Sequence, residues 1–249
     1  MLLAIDAGNS NIKLALFNGR EIVGNWRLST NALRTADEYA KEIAELFARK
    51  DLQAILIASV VPALNPILIQ LAETHFGLQP LFVDLTTAGL KIIYDQPADL
   101  GADRIVDAVA GVAKYGAPCI VLDFGTATTF NVVNQAGEFV GGAISPGLMT
   151  CSEALFSRTA KLPRVKFERP EKAIASSTVA AIQSGLYHGY VGLVDGVLEK
   201  IIPELGAKPR VIATGGLASS VAPASRYIEN VDDTLTLEGL RLVYERIKP

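Results

Sequence analysis

The sequence predicts an α/β protein made of two similar halves with an interdomain cleft. Short aliphatic runs typical of buried strands alternate with longer segments of helical periodicity. An internal repeat begins with Asp6-Ala7-Gly8 and recurs 117 positions later as Asp123-Phe124-Gly125. The chain has 249 residues, 50% of them hydrophobic, which is enough for one large or two small buried cores. Two facing halves leave a cleft between them, and clefts are where small ligands usually bind.

The predicted elements follow from periodicity. Four short apolar runs predict buried strands, at 2–5, 54–59, 120–122 and 210–213. Three longer segments with apolar residues at helical spacing predict helices, at 35–49, 105–114 and 182–202. The run 54–72 approaches the length of a membrane span, but Pro62 and Pro66 interrupt it. We therefore interpret it as a strand followed by a helix.

The repeat extends past the two Asp-x-Gly turns. Three further pairs share the same offset, namely Glu21 with Glu138, Val23 with Val140, and Gly24 with Gly141. Four matches in one register indicate duplication, with each half built from a strand, a turn and two more strands. Gly116 and Pro118 interrupt the helix before the second copy. The predicted domains are therefore 1–116 and 117–249.

Composition excludes several classes of function. The chain has 23 Lys and Arg against 26 Asp and Glu, so no overall positive field attracts nucleic acid or an anionic membrane. Cys119 and Cys151 lack the spacing of a zinc or disulfide framework, which favours a reducing compartment. The apolar residues 1–5 follow no basic segment, so no secretory signal is expected. We expect a cytoplasmic protein with no nucleic-acid or membrane partner.

Both Asp-x-Gly turns have the chemistry of a phosphate site. Gly8 and Gly125 let the backbone approach a ligand with its N–H groups free to donate. Neutral donors surround them, namely Asn9, Asn11, Thr126, Thr128 and Thr129. Lys13 would add a fixed positive charge, and Asp6 and Asp123 would hold a cation such as Mg²⁺. One such turn alone is compatible with an ordinary hairpin, but two in register, with Lys13, favour phosphate.

Asp103, in the segment 101–104, precedes the helix predicted at 105–114. On its own it is compatible with a simple helix-capping role. Phosphoryl transfer, however, requires a group that accepts the proton of the attacking hydroxyl, and Asp103 is the best candidate in the chain. The Gly-rich segment 214–218 follows a predicted strand, where open α/β sheets bind ligands. It is either an approach to a nucleoside or a tight strand-to-helix turn.

The ordered set of motifs resembles the type III pantothenate kinase family. Asp6-Ala7-Gly8-Asn9-Ser10-Asn11-Ile12-Lys13 is similar to the first phosphate motif of that family, Asp123-Phe124-Gly125-Thr126-Ala127-Thr128 to the second, and Gly101-Ala102-Asp103-Arg104 to the pantothenate motif. Smaller matches continue in the expected order to the segment 237–240, so the resemblance covers nearly the whole chain. One departure is Asp95-Gln96-Pro97 after Tyr94, where the family has Asn before the proline.

This resemblance implies a fold and an activity. The fold would be that of the acetate and sugar kinase, heat-shock chaperone and actin superfamily, with two ribonuclease H-like, actin-like ATPase halves. The activity would be transfer of the γ-phosphate of ATP to the primary hydroxyl of pantothenate, which gives 4'-phosphopantothenate in the first step of coenzyme A synthesis. The family also implies ATP with Mg²⁺, activation by K⁺ or NH₄⁺, and a homodimer.

The resemblance assigns roles by motif position. Asp103 would be the catalytic base. The residues implied to contact ATP are Asp6, Ala7, Gly8, Asn9, Ser10, Asn11, Ile12, Lys13 and Thr126. Those implied to contact pantothenate are Tyr94, Gly101, Ala102, Asp103, Arg104 and Thr178. Asp123 would bind the monovalent cation, and we adopt this assignment over the Mg²⁺ role that the residues alone suggested.

Two other functions are compatible with the same motifs. The first is a kinase of another small hydroxyl substrate, which product analysis with pantothenate as sole acceptor would separate. The second is an ATP-binding regulatory protein of the same fold, whose expected mark is loss of Asp103 or Lys13, and both residues are present. A polymerising or peptide-binding nucleotide switch would need extra subdomains, for which 249 residues leave little room.

Overall fold

The computed structural model describes residues 1–48 and 51–248 and divides into two compact units. The first unit comprises residues 1–113 and the C-terminal segment from Thr234, and the second comprises 114–233. The predicted boundary at 116 lies close to the position, between Ala113 and Lys114, where the chain passes from the first unit to the second. The predicted second domain, however, ran to 249, whereas the C-terminal helix packs on the first unit because its apolar face covers that unit's sheet.

Ten strands and seven α-helices form the two units within residues 1–48 and 51–248. The strands are β1 (Leu2–Ala7), β2 (Asn11–Asn18), β3 (Glu21–Ser29), β4 (Ala54–Ser59), β5 (Leu81–Phe82), β6 (Cys119–Phe124), β7 (Ala127–Val133), β8 (Phe139–Pro146), β9 (Arg210–Thr214) and β10 (Asn230–Val231) in the described residues. The helices there are α1 (Ala36–Glu42), α2 (Asn65–Leu71), α3 (Ala102–Tyr115), α4 (Leu148–Ser157), α5 (Thr178–Glu204), α6 (Ala218–Val221) and α7 (Leu235–Ile247).

The two sheets have the same topology. Their strand orders are β3-β2-β1-β4-β5 and β8-β7-β6-β9-β10, with the first three strands antiparallel and the rest parallel. The offset of 117 found in the sequence superimposes β1 on β6 residue for residue. Even the β-bulge is repeated, because the register skips Val23 in β3 and Val140 in β8. The predicted duplication is therefore present in the backbone.

The two copies differ at the first turn. Ala7 pairs with Ile12 in the first hairpin, whereas Phe124 pairs with Thr128 in the second, so the second turn is one residue shorter. Lys13 therefore lies opposite Asp6, whereas Thr129 lies opposite Asp123. This single deletion places a cation beside one aspartate and a hydroxyl residue beside the other.

Each unit has its own apolar core. In the first, both faces of β1 and β2 are buried, with Leu3 and Phe17 wholly inaccessible to solvent. In the second, Ile120 and Leu122 of β6 pack with Val194 and Leu198 of α5. Buried central strands of this kind read as continuous apolar runs, which is why the sequence located all four predicted strands.

The predicted helix at 35–49 is shorter in the structure. Thr35 and Glu38 form a reciprocal capping box that begins α1 at Ala36, as the sequence pattern allows. The helix ends at Glu42 and continues as a 3₁₀ turn over Ala44–Ala48, because Ile43 leaves the helical conformation. Arg49 lies outside the described residues.

The run 54–72 is a strand followed by a helix, as predicted. β4 covers Ala54–Ser59 and α2 begins at Asn65, with Pro66 in its first turn where no N–H is needed. Among the residues that the structure describes, no helix has both the length and the apolar character needed to cross a membrane.

Candidate active site

The first phosphate turn joins β1 to β2. Lys13 Nζ lies 3.5 Å from Asp6 Oδ2, and the Asp6 side chain is only 10% exposed. Inside the turn the Gly8 N–H donates to the Asn11 carbonyl at 3.0 Å. From outside, the Thr30 hydroxyl donates to the Gly8 carbonyl at 2.6 Å. The turn is thus fixed on both sides, and a carboxylate and an ammonium group lie together at the end of β1.

The eight residues of this motif do not all face solvent. The side chains of Ala7 and Ile12 are buried in the apolar core, whereas Asn9 and Ser10 are exposed. Any contact of Ala7 or Ile12 with a nucleotide must therefore use the backbone.

Val60 connects this turn to the segment that begins α3. Its N–H donates to the Ala7 carbonyl at 3.1 Å, directly after β4. Its Cγ1 lies 3.2 Å from the point where a Cβ on Gly101 would be. The turn 8–11 and the segment 101–104 are therefore neighbours at the carboxyl ends of the parallel strands β1 and β4.

Asp103 lies in the first turn of α3. Its Oδ1 accepts the N–H of Arg104 at 2.7 Å and lies only 2.5 Å from the position of a Cβ on Gly101. The absence of a side chain on Gly101 thus makes room for the Asp103 carboxylate. The guanidinium of Arg104 is buried and lies 6.0 Å from the centre of the Tyr94 ring.

The first unit therefore brings together Tyr94 and the segment 101–104, Ala102 being the buried first residue of α3. Thr178 belongs to the second unit, where it is the exposed first residue of α5.

The second phosphate turn joins β6 to β7 and is packed against Gly215. Gly215 has φ +91°, and a Cβ there would lie 2.3 Å from Asp123 Oδ1 and 2.6 Å from the Phe124 nitrogen. The glycine after β9 is therefore required by the close approach of the Asp123 carboxylate and its own left-handed backbone. The tight-turn interpretation of 214–218 has direct support, whatever ligand approaches there.

The strand-to-helix junction after β8 holds Thr126. The Thr126 carbonyl accepts the Gly147 N–H at 3.0 Å and the Thr150 hydroxyl at 2.7 Å. A Cβ on Gly147 would lie 2.3 Å from the Gly125 carbonyl oxygen. The backbone of the second turn is thereby fixed from the side of α4.

A buried hydrogen bond joins β7, just after the second turn, to α5. The hydroxyls of Thr128 and Tyr190 contact each other, and both residues are almost inaccessible to solvent. Burial raises the pKa of Tyr190, so this phenol stays neutral. Burial likewise raises the pKa of Cys119 to about 12, so its thiol stays protonated at neutral pH.

Sequence reasoning assigned no role to Thr30, Val60, Gly147 or Thr150. Thr30 and Gly147 are separated by the repeat offset of 117 and make the same backbone contact, from their N–H groups to the carbonyls of Ser10 and Thr126. Extending the repeat alignment to the ends of the third strands would have found both.

The donor set fits a metal that arrives with a nucleotide. Across 1–48 and 51–248, no three His, Cys, Asp or Glu side chains come together as a metal cage. Each turn instead carries one aspartate, Asp6 or Asp123, beside glycine backbone. Mg²⁺ is usually held by one or two carboxylates, with phosphates and water completing its shell, and this arrangement suits that ion.

Comparison with known proteins identifies the family. Residues 2–200 match the profile described as Type III pantothenate kinase. A Type III pantothenate kinase from Geobacter sulfurreducens is 52% identical over 252 aligned positions, which cover 99% of each chain. The chain belongs to the type III pantothenate kinase family.

Solved structures agree on the fold of this family member. The activator of the 2-hydroxyisocaproyl-CoA dehydratase from Clostridium difficile, with bound ADPNP, aligns with a TM-score of 0.54 and 13% identity, over 98% of this chain and 94% of that chain. A ROK hexokinase from Thermus thermophilus aligns with a TM-score of 0.52 and 12% identity, over 99% of both chains. The predicted fold class, an α/β protein built from two duplicated halves, is confirmed.

Proposed function

We propose that this chain transfers the γ-phosphate of ATP to the primary hydroxyl of pantothenate, giving ADP and 4'-phosphopantothenate in the first step of coenzyme A biosynthesis. The observation that carries the proposal is the link through Val60 between the Asp6 and Lys13 turn and the Asp103 carboxylate. Phosphoryl transfer depends on holding donor phosphate and acceptor hydroxyl together. Membership of the type III pantothenate kinase family supplies the identity of the acceptor.

The first turn is assigned to the ATP phosphates. Lys13 supplies a fixed positive charge, and the segment 8–11 supplies backbone and side-chain donors. Asp6 is the carboxylate of this turn that suits Mg²⁺, directly or through water. When bound with ATP, Mg²⁺ neutralises charge that develops on the phosphate oxygens.

Asp103 is assigned as the catalytic base. The acceptor hydroxyl loses its proton as its oxygen bonds to phosphorus, and a carboxylate within hydrogen-bond reach accepts that proton. Asp103 is held by the Arg104 N–H through Oδ1 and rests on Gly101, so its position is fixed before substrate binds.

The acceptor walls are assigned to Tyr94, Gly101, Ala102 and Arg104, with Thr178 as a further contact. The Arg104 guanidinium offers the fork of donors that suits the carboxylate of pantothenate. Its burial beside the Tyr94 ring restricts the side chain and strengthens such a pairing.

The second turn is assigned to ATP through Thr126 and to K⁺ or NH₄⁺ through Asp123. The Thr126 backbone is fixed by Gly147 and Thr150, and the Asp123 carboxylate is fixed against Gly215. A carboxylate and nearby carbonyl oxygens are suitable ligands for such a cation. Activity in K⁺ buffer against choline buffer tests this role, and equal rates would remove it.

The protein is proposed to act as a homodimer. A face of α5 carries Gly185, Gly189, Gly192 and Gly196, and a Cβ on any of these would have no neighbour within 4 Å in its own chain. Such a small-residue face permits close approach of a second helix, which supports pairing between two copies.

The test of the function is Asp103→Asn. We expect kcat for phosphopantothenate formation to fall by about 10²- to 10⁴-fold, because the proton acceptor is lost. ATP affinity should stay within about twofold, since the phosphate turn is untouched. Asp99→Asn, an exposed carboxylate four residues earlier, is the matched control. Near-parental turnover by Asp103→Asn would contradict the assignment.

A further inference from the structure

The C-terminal helix α7 is built into the sheet that carries Asp6. It packs against β1, β2 and β4 of the first unit. Leu235, Leu240 and Val243 on its inner face are wholly buried. The position of α7 is therefore fixed relative to the first phosphate turn.

Two contacts join α7 to α3 and fix their relative position. The Thr236 hydroxyl donates to Asp107 Oδ1 at 2.7 Å, and both residues are at least 97% buried. Three residues further along, Gly239 lies directly on the α3 backbone, where a Cβ would be 2.2 Å from the Val106 carbonyl oxygen. Hydrogen bonding and close backbone contact together prevent α3 from sliding or rotating on α7.

Asp107 is one helical turn beyond Asp103. Residues four apart lie on the same side of a helix with a rise of about 6 Å between them. A shift of α3 at Asp107 is therefore passed rigidly to the Asp103 carboxylate. The Thr236 contact is thus connected to the reacting hydroxyl by a single turn of helix.

The far end of α7 holds a second wall of the acceptor site. The Arg246 guanidinium donates to the carbonyls of Ala88 and Gly89, at 2.9 and 3.2 Å. Gly89 has φ +58°, and a Cβ there would lie 2.8 Å from Arg246 Nη1. This segment leads to Tyr94, which faces Arg104. One helix therefore contacts both the α3 wall and the chain leading to the Tyr94 wall.

We propose that α7 is the positioning element of the acceptor site, with Thr236 and Gly239 setting the placement of Asp103 and Arg246 setting the segment that carries Tyr94. These are positioning residues that act through α3 and the 88–94 segment. The proposal rests on the proposed pantothenate kinase activity, in which Asp103 accepts the proton and Tyr94 lines the acceptor site.

The first experiment compares Thr236→Val with Thr236→Ser in the full chain. Valine keeps the shape and removes the hydroxyl, so kcat should fall by about 10- to 100-fold as Asp103 is displaced. The ATP dissociation constant should stay within about twofold. Serine retains the donor and should restore kcat to within about threefold of the parent enzyme.

The second experiment uses Arg246→Ala, which changes an exposed side chain and leaves the buried contacts of α7 intact. Here we expect KM for pantothenate to rise by about tenfold with little change in kcat, because one charged hydrogen-bonding group is lost from the 88–89 segment. Thr236→Val is therefore expected to change kcat, and Arg246→Ala to change KM for pantothenate.

Leu71→Ala controls for stability alone. Leu71 of α2 is buried in the core cluster that includes Leu3 and Ile5, so its loss lowers Tm but should leave kcat near the parental value. Parental kcat in folded Thr236→Val would overturn the proposal, as would equal losses in the Val and Ser variants. If Thr236→Val does not fold, unchanged pantothenate KM in Arg246→Ala overturns it. An inactive parent enzyme would instead refute the proposed function.

Discussion

At three glycines of the candidate site, atoms of another residue occupy the space where a Cβ would be. The nearest atom belongs to the Asp103 carboxylate at Gly101, to the Gly125 carbonyl at Gly147, and to the Asp123 carboxylate at Gly215. In each case the functional turn lies within 2.5 Å of the absent Cβ. The carboxylates assigned to catalysis and cation binding are therefore positioned by backbone shape as well as by hydrogen bonds.

Gly215→Ala tests whether the close approach of the backbone positions the Asp123 carboxylate. The substitution places a methyl group against Asp123 Oδ1 and strains a backbone at φ +91°, so KM for ATP should rise by about tenfold or more and activation by K⁺ should weaken. Steady-state kinetics at several K⁺ concentrations measure both effects.

Gly206→Ala is the matched control for that prediction. Gly206 also has positive φ, +66°, but nothing lies within 4 Å of its absent Cβ. Both variants should lose about 1–2 kcal/mol of stability from backbone strain, yet only Gly215→Ala should change ATP and K⁺ dependence. Equal kinetics in the two variants would show that the contact with Asp123 is irrelevant.

The sequence predicted the chemical groups of the site better than their supports. Asp6, Lys13 and Asp123 stand out because an Asp-x-Gly turn recurs in register with a lysine nearby, and Asp103 because phosphoryl transfer needs a proton acceptor. The supports are ordinary residues such as Val60, whose N–H and methyl groups matter only through neighbours far along the chain. Spatial contacts of that kind leave no local pattern in a sequence.

At the level of elements, α5 combines a buried face with an exposed face of glycines. Glycine lowers helix stability by about 1 kcal/mol relative to alanine, so four at spacings of four, three and four residues need another reason. Pairing with a second copy of the chain is the reason we propose.

Gly189→Leu tests the pairing of α5. Leucine has open space within its own chain and should leave the protomer folded, but it would obstruct close helix contact. We expect the parent at twice the 26.5 kDa chain mass and the variant at the chain mass in light scattering. Gln135→Leu, an equally apolar change in the exposed β7–β8 turn, should stay dimeric. A dimeric Gly189→Leu would place the interface elsewhere.

Strands that are buried along their whole length were predictable from the sequence. The ends of elements set by local backbone conformation were less predictable. The strands at 2–5 and 120–122 were found because they are buried on both faces. The end of α1 at Glu42 was missed because apolar spacing continues through Leu46 after the helix itself has stopped. The place of α7 on the first unit was missed because adjacency in sequence favoured the second.

At the level of the whole molecule, one five-stranded sheet topology occurs twice, and the first turn is one residue shorter in the second copy. The position opposite the aspartate therefore changes from Lys13 to Thr129. The excess of 3 negative charges is compatible with the proposed handling of ATP, in which local donors and Lys13 hold the phosphates. The duplication thus supplies two related turns with different charges.

The central claim is tested most directly by the product formed from ATP, Mg²⁺ and pantothenate as the sole acceptor. Phosphorus NMR and mass spectrometry should show 4'-phosphopantothenate appearing in a one-to-one ratio with ADP. A hexose or a small hydroxy acid offered in place of pantothenate should give no phosphorylated product. Formation of ADP without phosphopantothenate, or preferred phosphorylation of another acceptor, would contradict the account.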